Sequence, residues 1–377
     1  MRRSANPYLF LQLTLAGLFS LVGLLVLFLL LAETRGVVPF LVGALTSVLP
    51  VPLYAGLILW IDRHEKEPGW LLLAAFFWGS TVSILLALVF NELWRAILQA
   101  VLGPLWALRI TVGLVAPLVE ETAKGVALLG MAAFLRQEFD NLTDGLVYGA
   151  LVGLGFGVAE NVLYLGRAFA AGGFAGLTVL FLLRVILLGL MHSVWTGCTG
   201  AALGYARERG GIAQFIVPPT GYLAAVLFHA LWNSSALATE ATVGSGASLL
   251  LAPVLFGILL LPAVLILGVL AFLAEKRERQ LVRTYLVDFV SSGVLSEDEL
   301  RAVATPGIKS RRLWDAFTRK GPGGWMALRQ FYDTVAELAF ARWRISRGRP
   351  PGAPEEVLQE RIVYLRSQLD SLEISRT

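Results

Sequence analysis

The sequence predicts an all-α fold: a polytopic membrane bundle of about eight transmembrane helices, followed by a C-terminal soluble helical tail. Three observations predict it. Apolar runs near the ~20 residues that a helix needs to cross a bilayer recur along the first 274 residues. Of the 377 residues, 56% are hydrophobic and only 15% are charged, against roughly 25% charged in soluble domains. The excess of basic residues is confined to the end of the chain. From 275 onward there are 18 Lys and Arg against 14 Asp and Glu, whereas the remainder is balanced at 13 of each. The chain therefore divides into a membrane domain, 1–274, and a basic helical tail, 275–377.

The expected spans run over 8–32, 37–61, 69–91, 109–135, 143–166, 175–204, 212–238 and 248–273. Arg2 and Arg3 before the first span resemble the charged start of a signal peptide. The apolar run that follows is longer than the roughly 7–15 residues of a signal peptide's core, and LLLAETRG is a poor cleavage site, so the span reads as a retained helix. The stretch 92–108 is too broken by polar residues to span and is expected to lie along the interface. In the fifth span Gly145, Gly149, Gly153 and Gly157 recur every four residues, a ridge of small residues that lets helix backbones approach closely. Cys198, the single cysteine, sits among small residues and reads as packing; with one cysteine neither an internal disulfide nor a cysteine metal site can form.

In the tail, Ser296 and Glu299 have the spacing of a capping box that starts a helix. Trp325, Leu328, Phe331, Tyr332, Val335 and Leu338 fall on one helical stripe. Leu358, Ile362, Leu365, Leu369 and Leu372 follow heptad spacing, but two heptads do not establish a coiled coil. The tail holds no His and no Cys, so no chemistry is expected there.

With eight spans the two termini share a side. The short segments on that side carry Arg2, Arg3, Arg63, Lys66, Arg136, Arg207 and Arg209, while the other side carries Arg35, Arg95, Arg109 and Arg167. Positive residues favour the cytoplasm, which puts both termini there in a multi-pass protein of the cell membrane.

Against this apolar background Glu120, Glu121, Glu160, His192 and His229 stand out, with Lys124 one turn after the glutamate pair. Ionisable side chains inside membrane segments are costly and face a bundle interior or a wet cavity. On a helix Glu121 and Lys124 are i,i+3 neighbours and Glu120 and Lys124 are i,i+4 neighbours, so Lys124 neutralises part of the pair's charge. Glu160 has no basic residue in its own span and needs a partner from another helix: Lys124, Arg184, a histidine or a metal. His229 and Asn233 are i,i+4 and share a face. A buried ion-pair knot or an interhelical hydrogen bond is the plain structural alternative for each group taken singly. His64, in the charged loop DRHEKEP, reads as a solvated surface histidine.

The order EETAK, DGLVYGALVGLGFGVAEN, MHSVWTG and HALWN on successive spans, together with DRHEKEP, resembles the PrsW family of intramembrane proteases over roughly residues 50–240. Type II CAAX prenyl endopeptidases and Abi immunity proteins are more distant relatives, which usually show His where this chain has Glu160. The resemblance implies a bacterial multi-pass peptidase whose best-known family role is cleavage of membrane-bound anti-sigma factors.

Peptide hydrolysis needs an activated water and a group that stabilises the oxyanion, and two designs fit these residues. In one, Glu160, His192 and His229 hold Zn²⁺, since two His and one carboxylate with an open position make a catalytic zinc set, and Glu120 or Glu121 is the general base. In the other no metal takes part: a glutamate activates water while His229 and Asn233 bind the oxyanion. The spacing lacks HExxH and does not demand a metal. The expected partners are a membrane-anchored protein substrate and the lipid bilayer, with no nucleic acid; the tail would meet a cytoplasmic partner or the anionic inner leaflet. Two other classes compete: an ion-coupled transporter or channel, in which the same residues would be strung along a path, and a non-catalytic membrane binding protein.

Overall fold

The computed structural model describes residues 8–61, 67–243, 261–348, 351 and 353–374. Every regular element among them is a helix. The chain forms two compact units, one of Met1–Trp60 and Glu67–Val269, the other of Ile61–Lys66 and Leu270–Thr377. His64 and the first half of the expected span 248–273 lie outside the described residues.

In the first unit, α1 (Leu9–Glu33) is followed by α2 (Val37–Val48) and α3 (Val51–Leu59), which are separated at Pro50. Next, α4 (Gly69–Phe77) passes through a π-helical stretch, Trp78–Ser83, into α5 (Ile84–Leu102). The expected interfacial piece 92–108 is therefore largely the end of a transmembrane-length helix. Its polar residues pair along the helix: Arg95 Nη2 lies 2.5 Å from Glu92 Oε1, and its Nη1 donates to Gln99 at 3.2 Å. The break comes at Gly103, whose φ of 79° suits glycine, before Pro104 opens α6 (Pro104–Ile110).

A second π-helical stretch, Thr111–Val115, joins α6 to α7 (Ala116–Phe134). Pro117 has no N–H to offer the preceding turn, and side chains of α10 (Ala213–Val243) supply donors instead. Asn233 Nδ2 donates to the Val112 carbonyl at 3.0 Å, and Ser234 Oγ to that of Gly113 at 3.5 Å.

The core of the unit is α8 (Leu142–Phe181), followed by a third π-helical stretch, Leu182–Leu187, and α9 (Met191–Arg209). Asn141 caps α8 in a capping box with Asp144. The glycine ridge of α8 lies directly on α9. A Cβ at Gly145 would be 2.1 Å from the Gly200 carbonyl oxygen, at Gly149 2.6 Å from that of Thr196, and at Gly153 2.2 Å from that of His192. Ascending positions of α8 thus meet descending positions of α9, so the two helices are antiparallel and in backbone contact.

Five helical stretches among the described residues are long and apolar enough to cross a membrane: Leu9–Glu33, Val37–Leu59, Gly69–Leu102, Leu142–Arg209 and Ala213–Leu237. Eight spans were expected. Two of them, 143–166 and 175–204, fall within the 68-residue stretch Leu142–Arg209, whose halves run antiparallel. The span 109–135 carries Glu120, Glu121 and Lys124, and 248–273 begins outside the described residues.

In the second unit, the part of α11 (Leu261–Ser291) from Leu270 onward, α12 (Glu297–Ala304), α13 (Pro306–Ser346) and α14 (Glu355–Ser371) surround a core of their own. Leu328, Phe331, Tyr332, Val335 and Leu338 are buried against Leu286, Leu358, Ile362, Leu365 and Leu369. The Ser296 capping box is formed, with Ser296 N donating to Glu299 Oε2 at 2.7 Å and Glu299 N to Ser296 Oγ at 3.1 Å. Trp325 and Leu372 lie at the margins of their stripes, Leu372 being exposed.

Candidate active site

Four helices bring their ionisable groups to one place. From α7, Glu120, Glu121 and Lys124 point inward and are buried. Glu160 and the Phe156 ring come from α8, His192 from α9 and His229 from α10. The close contact of α8 with α9 is what sets His192 over Glu160. A Cβ at Gly157 would sit 3.2 Å from His192 Cδ2, so the glycine leaves the ring its space.

Glu121 is fully engaged. Its Oε1 accepts from Lys124 Nζ at 2.7 Å and lies 3.0 Å from His229 Nδ1, while its Oε2 accepts from Thr196 Oγ1 at 3.0 Å. Lys124 also reaches His192 Nδ1 at 3.2 Å and lies 4.0 Å from the centre of the Phe156 ring. A lysine buried in this way needs the carboxylate and the aromatic face to replace its water.

Glu160 is held by Arg184, whose Nη2 donates to Oε2 at 2.6 Å, and the same oxygen lies 2.9 Å from His192 Nε2. Of the partners considered from sequence, Arg184 and a histidine are thus both present.

Glu120 is different. Its Oε1 accepts from Asn91 Nδ2 at 3.3 Å, whereas its buried Oε2 has no hydrogen-bond partner among the described residues. The nearest ring nitrogen is His229 Nε2 at 3.7 Å. One ligand atom from each of Glu120, His192 and His229 lies within 4.8 Å of the others, and all three residues are buried. Bonds of ~2 Å to one ion place ligating atoms roughly 3–5 Å apart, so these three can share an ion. The trio differs by one carboxylate from the set considered on sequence grounds, which had Glu160 in place of Glu120.

A cavity of about 770 Å³ adjoins the cluster and is lined by Glu120, Glu160, Arg184, His192, His229 and Asn233. Asn233 is on its wall, with its Nδ2 donating to the Val112 carbonyl. Trp195 stacks on His229, with ring centres 4.1 Å apart, and meets His192 edge-on at 4.9 Å.

Thr196, Asn91 and Trp195 were not singled out from sequence. Thr196 and Trp195 follow His192 by four and three residues and so share its helical face, which was a readable signal. Asn91 had only its polarity at the end of an apolar run.

The family model described as PrsW family intramembrane metalloprotease matches residues 67–280, more than half of the chain. No curated protein and no solved structure matches it.

Proposed function

The chain belongs to the PrsW family of intramembrane metalloproteases, and from that premise we propose that it is an endopeptidase cutting membrane-anchored protein substrates at a metal held by Glu120, His192 and His229. The observation that carries the assignment is the buried trio within 4.8 Å on the wall of the 770 Å³ cavity.

The donor set suits a metal on two further grounds. Two imidazoles and a carboxylate match the ligands of catalytic Zn²⁺, and we take zinc as the ion. The charge count also leaves room for a cation. Three carboxylates, Glu120, Glu121 and Glu160, face two basic groups, Lys124 and Arg184, and these pair with Glu121 and Glu160. Glu120 is the carboxylate left without a cation, and its Oε2 is the oxygen without a hydrogen bond.

When bound, the ion supplies Lewis-acid polarisation of the scissile carbonyl and lowers the pKa of water. The remaining work falls to the chain. Asn91 anchors one oxygen of Glu120, leaving the other for the ion. Glu121 holds His229 by Nδ1, so that Nε2 faces Glu120; a carboxylate behind a ligating histidine fixes its tautomer and ring orientation. Glu160 holds His192 through Nε2, which leaves Nδ1 as the nitrogen that would take the ion; Nδ1 lies 3.2 Å from Lys124 Nζ, so the lysine would have to yield it. Lys124 and Thr196 fix Glu121 in turn.

Of the adjacent glutamates, Glu120 reaches the cavity and Glu121 braces the site. In the metal-free design Glu120 is accordingly the general base, a reading supported by its unpartnered oxygen. Convergence of the ionisable groups on one cavity favours hydrolysis over a transport path. Cleavage of anti-sigma factors is the narrower family reading. The placement of Lys and Arg supports cytoplasmic termini, with the tail serving regulation or partner choice rather than chemistry.

The test is cleavage of a single-span membrane protein by the purified full-length chain in detergent, with chelator, and with Zn²⁺ restored. We expect loss and recovery of turnover, and one equivalent of metal in the untreated protein. Full turnover in metal-stripped protein would remove the metal and leave the glutamate design; no cleavage of any single-span substrate under either condition would remove the peptidase.

A further inference from the structure

We propose that Arg184 is a positioning residue, which through Glu160 fixes the ring of His192 for the metal; this rests on the reading of Glu120, His192 and His229 as the metal ligands. Arg184 lies in the π-helical stretch Leu182–Leu187, just ahead of the helix that carries His192. The wider turn is marked by the bond from Leu188 N to the Leu183 carbonyl at 3.0 Å. Such single π turns occur often at functional sites.

Three groups on one turn of α8 hold the guanidinium. Nη2 donates to Glu160 Oε2 at 2.6 Å, Nε donates to Asn161 Oδ1 at 2.9 Å, and the carbon of the guanidinium lies 3.9 Å from the centre of the Tyr164 ring. Two edges and one face of the planar group are in use, which a lysine could not reproduce. Arg184 is also largely shielded, its side chain 18% exposed, and Glu160 is 17% exposed, so this is no solvated surface pair of the kind that contributes little.

The bond to Glu160 fixes more than a charge. Oε2 of Glu160 takes both Arg184 Nη2 and His192 Nε2. Where Arg184 puts that oxygen is where His192 must direct its Nε2. The apolar neighbours of the imidazole, Phe156 with ring centres 5.1 Å apart and Trp195 at 4.9 Å, limit its tilt; its rotation is set by the two polar contacts, Lys124 on Nδ1 at 3.2 Å and Glu160 on Nε2 at 2.9 Å, and only the second is directed by Arg184. Mere neutralisation of Glu160 within the membrane would need only a positive charge in reach. The fork onto Asn161 and the stacking on Tyr164 add direction to the charge, and direction is what a ligating histidine needs.

The experiment measures Zn²⁺ affinity of the full-length protein by competition with a chromophoric chelator, beside thermal unfolding of the metal-free form. The variants are Arg184→Lys, Arg184→Gln, Glu160→Gln and the double Glu160→Gln/Arg184→Gln. Loss of a carboxylate or other group behind a metal ligand costs about 10–100-fold in affinity, and we expect a loss of that size for Arg184→Lys with unfolding close to the unsubstituted protein. The double variant should bind no more weakly than Glu160→Gln, because the effect of Arg184 passes through Glu160. Unchanged affinity in Arg184→Lys would show that charge suffices and overturn the proposal, and so would losses in the double variant equal to the product of the single ones. If Arg184→Gln does not fold, Arg184→Lys decides alone. Failure of the unsubstituted protein to bind Zn²⁺ would refute the metal reading itself, before any variant is compared, and this proposal with it.

Discussion

Gly153→Ala probes how the α8–α9 contact sets the site without touching an ionisable residue. The new Cβ would lie 2.2 Å from the His192 carbonyl oxygen, 2.5 Å from its carbon and 2.7 Å from Ser193 N, whereas ordinary contact begins at 3.4 Å. All three neighbours are backbone, so no side-chain rotation relieves the clash and α9 must move away by about 1.2 Å, the difference between 3.4 and 2.2 Å. His192 bonds Glu160 at 2.9 Å and Lys124 at 3.2 Å; an added displacement of that size carries both beyond hydrogen-bond range. Overpacking of this kind costs about 1–3 kcal/mol, and a misplacement of ~1 Å at a reacting centre costs on the order of 100-fold in rate. The assay is turnover of a single-span substrate by reconstituted protein, with thermal unfolding measured in parallel. Gly130→Ala is the control, because a Cβ there meets nothing within 4 Å. Undiminished turnover in Gly153→Ala would mean that the helix contact does not position His192, and the reasoning would fail.

Glu120→Gln should abolish turnover and weaken metal binding while the fold survives, whereas Glu121→Gln should lose turnover and stability together. The second change strips the buried Lys124 of its carboxylate, and breaking a buried pair costs about 3–5 kcal/mol; equal unfolding temperatures for the two variants would contradict this. In the second unit, burial raises the pKa of the half-buried Glu337 against the opposing pull of Arg361 and Arg344. A carboxyl raised in the folded state costs stability once pH exceeds its unfolded value of 4.5. Glu337→Gln should therefore raise the unfolding temperature at pH 7, and the gain should vanish below about pH 4.5; no gain at pH 7 would refute it. The chain truncated after residue 275 should keep its peptidase activity, since every side chain placed at the site lies between Asn91 and Asn233. Loss of activity in a stable, inserted truncation would assign the tail to the site.

Much of this was legible in one dimension because it concerns neighbours along a helix. Glu121 and Lys124 at i,i+3, the four-residue glycine period of α8 and the Ser296–Glu299 capping box are local relations, set by 3.6 residues per turn, and each has its contact in the structure. That ionisable groups in apolar runs should meet follows from the cost of leaving them in lipid, and four helices do bring them together. Which group meets which was not legible, because it depends on helix rotation and crossing. Those are decided by packing between segments far apart in sequence. Only the tertiary structure put Arg184 and His192 on the same oxygen of Glu160, closed both oxygens of Glu121 and left one of Glu120 open. Likewise Asn233 Nδ2 donates to the Val112 carbonyl, on the turn that Pro117, distant in sequence, leaves short of a donor. Residue types and their order name the candidates for chemistry here; the distances between helices assign them their partners.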